Sequence, residues 1–146
     1  MARRAFFSFH YQRDIWRVNQ IRNIPNVTGC AAAGFQDGSL WEEAKNKGDA
    51  TVKAMIDKAL ENTSVTVVFI GSKTAGRKFI NYEIARSIAR GNGIVGIQIH
   101  HLEDQSGKVD PAGSTPAKLS GYKVYKYVDH EKLAKRIEEA AKAAGK

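Results

Sequence analysis

At 146 residues the chain has the length of one domain, enough to bury about 70% of its unfolded surface. Its 42% hydrophobic and 26% charged content excludes a disordered chain, and no apolar run approaches the roughly 20 residues that span a bilayer. The net charge of +8 invites a nucleic-acid reading, which the positions of the charges weaken. Arg3, Arg4, Arg13, Arg17 and Arg22 lie near the start, others are dispersed, and Lys118 to Lys146 form a basic end. No nucleic-acid motif accompanies them, and attraction of anionic ligands such as dinucleotides fits the charge equally well. The lone Cys30 excludes an intrachain disulfide and a multi-cysteine metal site, and reads as a small buried residue. The apolar run in MARRAFFSFHYQRD is too short for a secretory signal, so a cytoplasmic protein is expected.

In chain order, Ala5 to His10 reads as a first strand. Asp14 to Arg22 reads as a helix through Ile15, Val18 and Ile21. Ile24 to Ala33 contains Pro25 and Gly29 and is expected to be a connection, with a brief second strand at Gly34 to Asp37. Ser39 is a candidate cap for a short helical piece, LWEEAKNK, and Asp49 for a longer helix through Val52, Met55, Ile56, Ala59 and Leu60. Val65 to Ile70 is an almost unbroken β-branched run, the signature of a central parallel strand covered on both faces. The next helix carries a core stripe of Ile80, Ile84 and Ile88. At roughly 100° per residue, Glu83 falls about 60° from Ile80, on the margin of that stripe and half sheltered. Tyr82 faces away and reads as a surface or interface residue. Gly91 to Gly93 launches a strand at 94–100. Gln105 to Ser120 is expected to be a surface loop, Tyr122 to Val128 a half-exposed last strand, and Glu131 to Ala144 a closing helix.

Alternating strands and helices make this a single five-stranded α/β domain over residues 1–146, with the flavodoxin-like strand order 2-1-3-4-5 favoured. Ligands of such sheets bind beyond the carboxyl ends of strands one and three. Those ends carry Ser8-Phe9-His10 and Gly71-Ser72-Lys73, followed by the helix with Glu83. A receiver domain would need acidic residues there, a flavodoxin a hydroxyl-rich phosphate loop, and a redox dinucleotide site a GxGxxG; none is present. No spacing of metal ligands occurs either. A single carboxylate with aromatic and hydroxyl groups suits cleavage of an N-glycosidic bond whose leaving group is already activated. Nicotinamide leaves NAD+ as a neutral molecule, so no general acid is needed.

The segments RAFFSFHYQRD (4–14), SLWEEAKNKGD (39–49), NTSVTVVFIGSKT (62–74) and KFINYEIARSIARGNGIVGIQIH (78–100) together resemble a TIR domain. They resemble more closely the TIR-like ThsB proteins of bacterial Thoeris antiphage defence. The resemblance spans most of residues 4–100 and fades from Leu102 on. It implies a flavodoxin-like TIR fold with a mainly parallel sheet flanked by helices. It also implies an NAD+ nucleosidase or ADP-ribosyl cyclase type of enzyme that takes NAD+ as substrate and uses no cofactor. Its expected product is a cyclic ADP-ribose isomer that switches on a partner effector after a phage-derived trigger, with self-association on activation and no membrane partner. The family's glutamate falls on Glu83 and its first-strand motif on Phe7, Ser8, Phe9 and His10. Where many TIR domains have Trp-Cys before the glutamate, this chain has Phe79-Ile80-Asn81-Tyr82, a departure that bears on rate and product more than on fold.

Glu83 is thus the catalytic candidate. Ser8 is a ribose partner or a locally satisfied hydroxyl, and His10 is a nucleotide-site residue or a surface histidine. Arg13 is a pyrophosphate partner or the salt-bridge partner of Asp14, and Trp41 is a lid or the packing of a short helix. Two other classes use the same residues differently. A non-catalytic TIR-type adaptor would work through its surface and dispense with Glu83. A nucleoside deoxyribosyltransferase-like enzyme would use Glu83 as a covalent nucleophile.

Overall fold

The computed structural model describes residues 3–21, 23–31 and 44–146. Strands β1 (Arg3–Ser8), β2 (Val27–Cys30), β3 (Val65–Ile70), β4 (Gly93–Gln98) and β5 (Val124–Lys126) form one sheet in the order β2-β1-β3-β4-β5. Every pairing is parallel, so the mainly parallel sheet expected from the sequence is wholly parallel. Helices α1 (Tyr11–Asn19), α2 (Asp49–Leu60), α3 (Lys78–Ala89) and α4 (His130–Ala143) cover its two faces.

Side-chain alternation along the strands sorts these helices. Ser8 and Thr66 reach Glu83 and Ser87 of α3, which places α3 on their face. On the other face a Cβ added to Gly71 would run into the Asp14 carboxylate of α1, and one on Gly93 into the Ala140 carbonyl of α4. Glycine at both positions lets helix and sheet approach closely. Every residue of β3 is buried, as its apolar run requires of the central strand.

Four expectations need correction. The second strand lies at Val27–Cys30, inside the stretch read as a connection. Pro25 and Asn26, the latter at φ 57°, turn the chain into it. Gly29 is a packing glycine rather than a breaker, because the Phe7 ring fills the place its Cβ would take. Gly34 to Asp37 and the Ser39 cap lie outside the described residues, and Gly48 rather than Asp49 caps α2. The buried stripe of α3 is Ile80, Glu83, Ile84 and Ser87, whereas Ile88 is 40% exposed. Ser87 takes the inward position because its hydroxyl donates to the Glu83 carbonyl and accepts from Thr66. Tyr82 is half-buried and its hydroxyl reaches Asp57 of α2 at 3.0 Å, so it joins two helices. The 105–120 stretch is a largely exposed loop, as expected, with Leu119 buried in a short 3-10 turn.

Candidate active site

The carboxyl ends of β1 and β3 open into a cleft of about 670 Å³, where the strand order places a ligand. Phe9, His10 and Tyr11 line one side, Ser72 and Lys73 follow β3, and Arg77, Phe79, Ile80 and Glu83 come from the start of α3. Ser114 contributes from the late loop and Lys45 from the segment before α2.

Glu83 is 1% exposed. It sits on the buried stripe because α3 leaves the end of β3 and runs back across the sheet beside Ser8. The Ser8 hydroxyl donates to Glu83 Oε1 at 2.7 Å, while Glu83 Oε2 is buried with no protein partner among the described residues. Burial pushes the carboxyl up to about 8, and the Ser8 hydrogen bond opposes it without reversing it. A half-satisfied buried carboxyl at a cleft floor is costly to folding and is ready to accept a hydroxyl from a ligand. The structure thus places Glu83 deeper than its marginal position on the helical wheel predicts, since the stripe runs through it.

His10 caps α1 by accepting from the Arg13 amide at 3.4 Å. Burial, followed by the nearby charges of Arg77, Arg13 and Lys45, lowers its pKa to about 4, so it faces the cleft as a neutral imidazole. Phe9 lines the cleft and stacks at 4.3 Å from Tyr11 in a tilted arrangement. Phe7 does not line it. Its side chain lies on the opposite face of β1, edge-on to Phe69 at 5.1 Å, and it serves the core. Trp41 lies outside the described residues.

Arg13 is engaged elsewhere. Its guanidinium donates to both oxygens of Asp110, from Nε to Oδ2 at 3.1 Å and from Nη2 to Oδ1 at 3.0 Å. It also donates to the Ser72 hydroxyl at 3.1 Å. Asp14 pairs instead with Arg17 at 3.0 Å, both essentially buried. Sequence reasoning did not find Asp110, Arg17 or Ser114, because their spacing from the cleft residues in the chain carries no periodic signal. Gly71 and Gly113 are the nearest hint: the missing side chain of Gly71 admits the Asp14 carboxylate of α1, and that of Gly113 lets the late loop rest on the end of β3.

A second cavity of about 660 Å³ opens between the start of β4, β5 and the end of α4, with Ile88 and Tyr122 on its rim. It holds no buried ionisable side chain comparable to Glu83. Among the described residues no group of three or more His, Cys, Asp or Glu is placed to hold a metal, and no helix is long and apolar enough to cross a membrane.

With the sheet order, Ser8 and Glu83 in place, the comparison with known proteins becomes specific. The family described as "Thoeris protein ThsB, TIR-like domain" matches residues 6–104. The chain belongs to the ThsB TIR-like family. The matched residues hold the carboxyl ends of β1 and β3 that frame the cleft together with the Glu83 helix, and they end before Asp110 and Ser114. A curated relative from Bacillus cereus (strain MSX-D12), named "Putative cyclic ADP-D-ribose synthase ThsB1", is 47% identical over 124 residues. That similarity covers 84% of this chain and 65% of the relative, so the chain spans a little under two-thirds of its length.

Proposed function

We propose that this ThsB-family chain consumes NAD+, cleaving the nicotinamide–ribose bond and closing the ADP-ribosyl remainder into a cyclic signal for a partner effector. The observation that carries the proposal is the buried Glu83–Ser8 pair at the cleft, with Glu83 Oε2 left without a partner among the described residues. The name of the relative supports the same class of product.

In this mechanism the ribose hydroxyls of NAD+ donate to Glu83 Oε2. The positive charge on the nicotinamide ring favours the ionised carboxylate, and Ser8 holds that form through Oε1. The bond from ribosyl C1′ to the ring nitrogen breaks with its electron pair on nicotinamide, which departs neutral. Positive charge grows at the ribosyl centre and Glu83 stabilises it electrostatically. A nitrogen or oxygen of the same molecule then bonds to C1′ and releases any proton it carried to solvent. Phe9 and Phe79 present apolar faces that pack against bound rings and limit water, whose capture of C1′ would give linear ADP-ribose.

The test is nicotinamide release from NAD+, with products resolved by mass spectrometry, for wild type and Glu83→Gln in lysates of phage-infected and uninfected cells. Release by the wild type that falls by about a hundredfold or more in Glu83→Gln is expected, from loss of charge stabilisation. No release from the triggered wild type, with Glu83→Gln still protecting cells, would replace the enzyme by an adaptor that signals through its surface. Base release from free nucleosides without consumption of NAD+ would point instead to deoxyribosyl transfer.

A further inference from the structure

Among the described residues, a polar cluster outside the Glu83–Ser8 pair centres on Asp110. Its carboxylate accepts the two-point fork from Arg13 and the Ser72 hydroxyl at 3.0 Å. It also faces Arg17 Nη1 at 3.3 Å. Arg17 extends the cluster by donating to the Leu102 carbonyl at 2.7 Å and the Lys108 carbonyl at 3.1 Å. These bonds draw three separate pieces together: α1, the loop between β3 and α3, and a strap that runs from residue 102 to residue 116. Gly113 presses the strap onto the Gly71 carbonyl and the Ser72 backbone.

Each piece ends at the cleft. α1 begins at Tyr11, capped by His10 directly after Ser8-Phe9; the β3–α3 loop contributes Ser72 and Lys73; the strap contributes Ser114. The group of two carboxylates and two guanidiniums runs from the buried Asp14–Arg17 pair to the exposed Arg13 and is a weak source of stability, because desolvation at its buried end and solvent at its exposed end offset most of the attraction. A carboxylate held by an arginine fork is, however, fixed in both place and angle. The cluster is suited to setting geometry.

We propose that Asp110 is the positioning residue of this cleft. It locks α1, the β3–α3 loop and the strap into one wall, so the working unit of this chain extends past residue 104, where the family match ends. The kinetic consequence rests on the NAD+-cleaving function proposed above; the structural consequence stands apart from it. Asp110 touches neither Glu83 nor the reacting atoms in this arrangement, so its loss displaces the binding wall and leaves the chemistry of the Glu83–Ser8 pair in place.

The full chain carrying Asp110→Asn, which keeps shape and removes charge, is compared with wild type by amide hydrogen exchange and by steady-state nicotinamide release. Exchange at residues 71–77 is expected to speed up about tenfold, with α4 amides unchanged, as for local opening. KM for NAD+ is expected to rise about tenfold while kcat stays within about threefold. A merely destabilising change does the reverse: it reduces the folded fraction and hence apparent kcat, leaving KM alone. Arg13→Gln, which removes the fork but leaves Arg17, gives a smaller change in the same direction and serves if Asp110→Asn does not fold. Unchanged exchange at 71–77, or a fall in kcat at constant KM, overturns the proposal. If wild type releases no nicotinamide, the proposed activity fails, and the exchange pattern alone decides the role of Asp110.

Discussion

Replacing Glu83 by Gln is expected to stabilise the protein at neutral and alkaline pH relative to wild type, by an amount that grows with pH. In the fold the carboxyl is pushed up from its ordinary 4.5 to about 8, chiefly by burial; in the unfolded chain it ionises near its ordinary value. Between those pH values the folded protein holds one proton more than the unfolded chain. Its stability therefore falls as pH rises from about 4.5 towards about 8 and levels off above. One pKa unit corresponds to roughly 1.4 kcal/mol, so by pH 7 the accumulated loss is on the order of 3 kcal/mol. Gln cannot ionise and escapes that loss. It still accepts from Ser8 through its carbonyl, but it puts an amide nitrogen where Oε2 has no partner. That nitrogen costs about 1–3 kcal/mol at every pH and moves the whole curve without changing its slope. Urea or thermal unfolding of both proteins from pH 5 to 9 measures the difference. For a chain of this size, about 3 kcal/mol corresponds to roughly 6–12 °C in Tm. Parallel stability curves for the two proteins would refute the reasoning, since they would mean that Glu83 titrates alike in the folded and unfolded states.

Four further outcomes follow from the same geometry. Wild-type kcat/KM for nicotinamide release is expected to rise about tenfold per pH unit up to about 8, where Glu83 ionises. Ser8→Ala removes the hydrogen bond that favours the carboxylate, so its midpoint moves to higher pH and its activity at pH 7 falls about 10- to 100-fold. A fall with an unmoved midpoint would contradict this role for Ser8. Arg17→Met strands the fully buried Asp14 carboxylate and is expected to cost about 3–5 kcal/mol in urea unfolding at pH 7. Burial already raises the Asp14 pKa, so the penalty shrinks as pH falls and the stranded group takes up a proton. A loss below about 1 kcal/mol would show that the pair is dispensable. Gly93→Ala drives a methyl group into the Ala140 carbonyl and should destabilise by about 1–3 kcal/mol, with a smaller loss indicating that α4 can shift off β4.

The elements legible in the sequence were those that bury one continuous pattern. β3 falls on Val65–Ile70 as read, and α2 buries Val52, Ile56 and Leu60 of its predicted stripe. The strand order followed because right-handed crossovers leave few arrangements for a short alternating chain. β2 was missed because four residues, one of them glycine, carry too little periodicity, and only the Phe7 ring explains Gly29. Ser8 and Glu83 were legible as a pair because topology alone brings the ends of β1 and β3 together. The burial of Glu83 was underestimated because a helical wheel counts apolar residues, and here Ser87 and Glu83 occupy inward positions through hydrogen bonds.

The cleft combines elements of very different legibility. Its Glu83–Ser8 pair sits on β1 and α3, where hydrophobic burial determines position and sequence pattern reports it. Its outer wall depends on Asp110, which reaches Arg13 across 97 residues and Ser72 across 38. No periodic pattern encodes a contact of that range, since an isolated charged residue in a polar loop reads the same whether it is solvated or clamped. Its structural trace is indirect: α1 carries buried Asp14 and Arg17 on a helix expected to bury only apolar residues. Charges that deep persist when something must hold them at a fixed angle. On α1 the strap and the end of β3 require it, and the helix that follows Ser8 thereby connects the Glu83–Ser8 floor to a wall supplied from beyond residue 104.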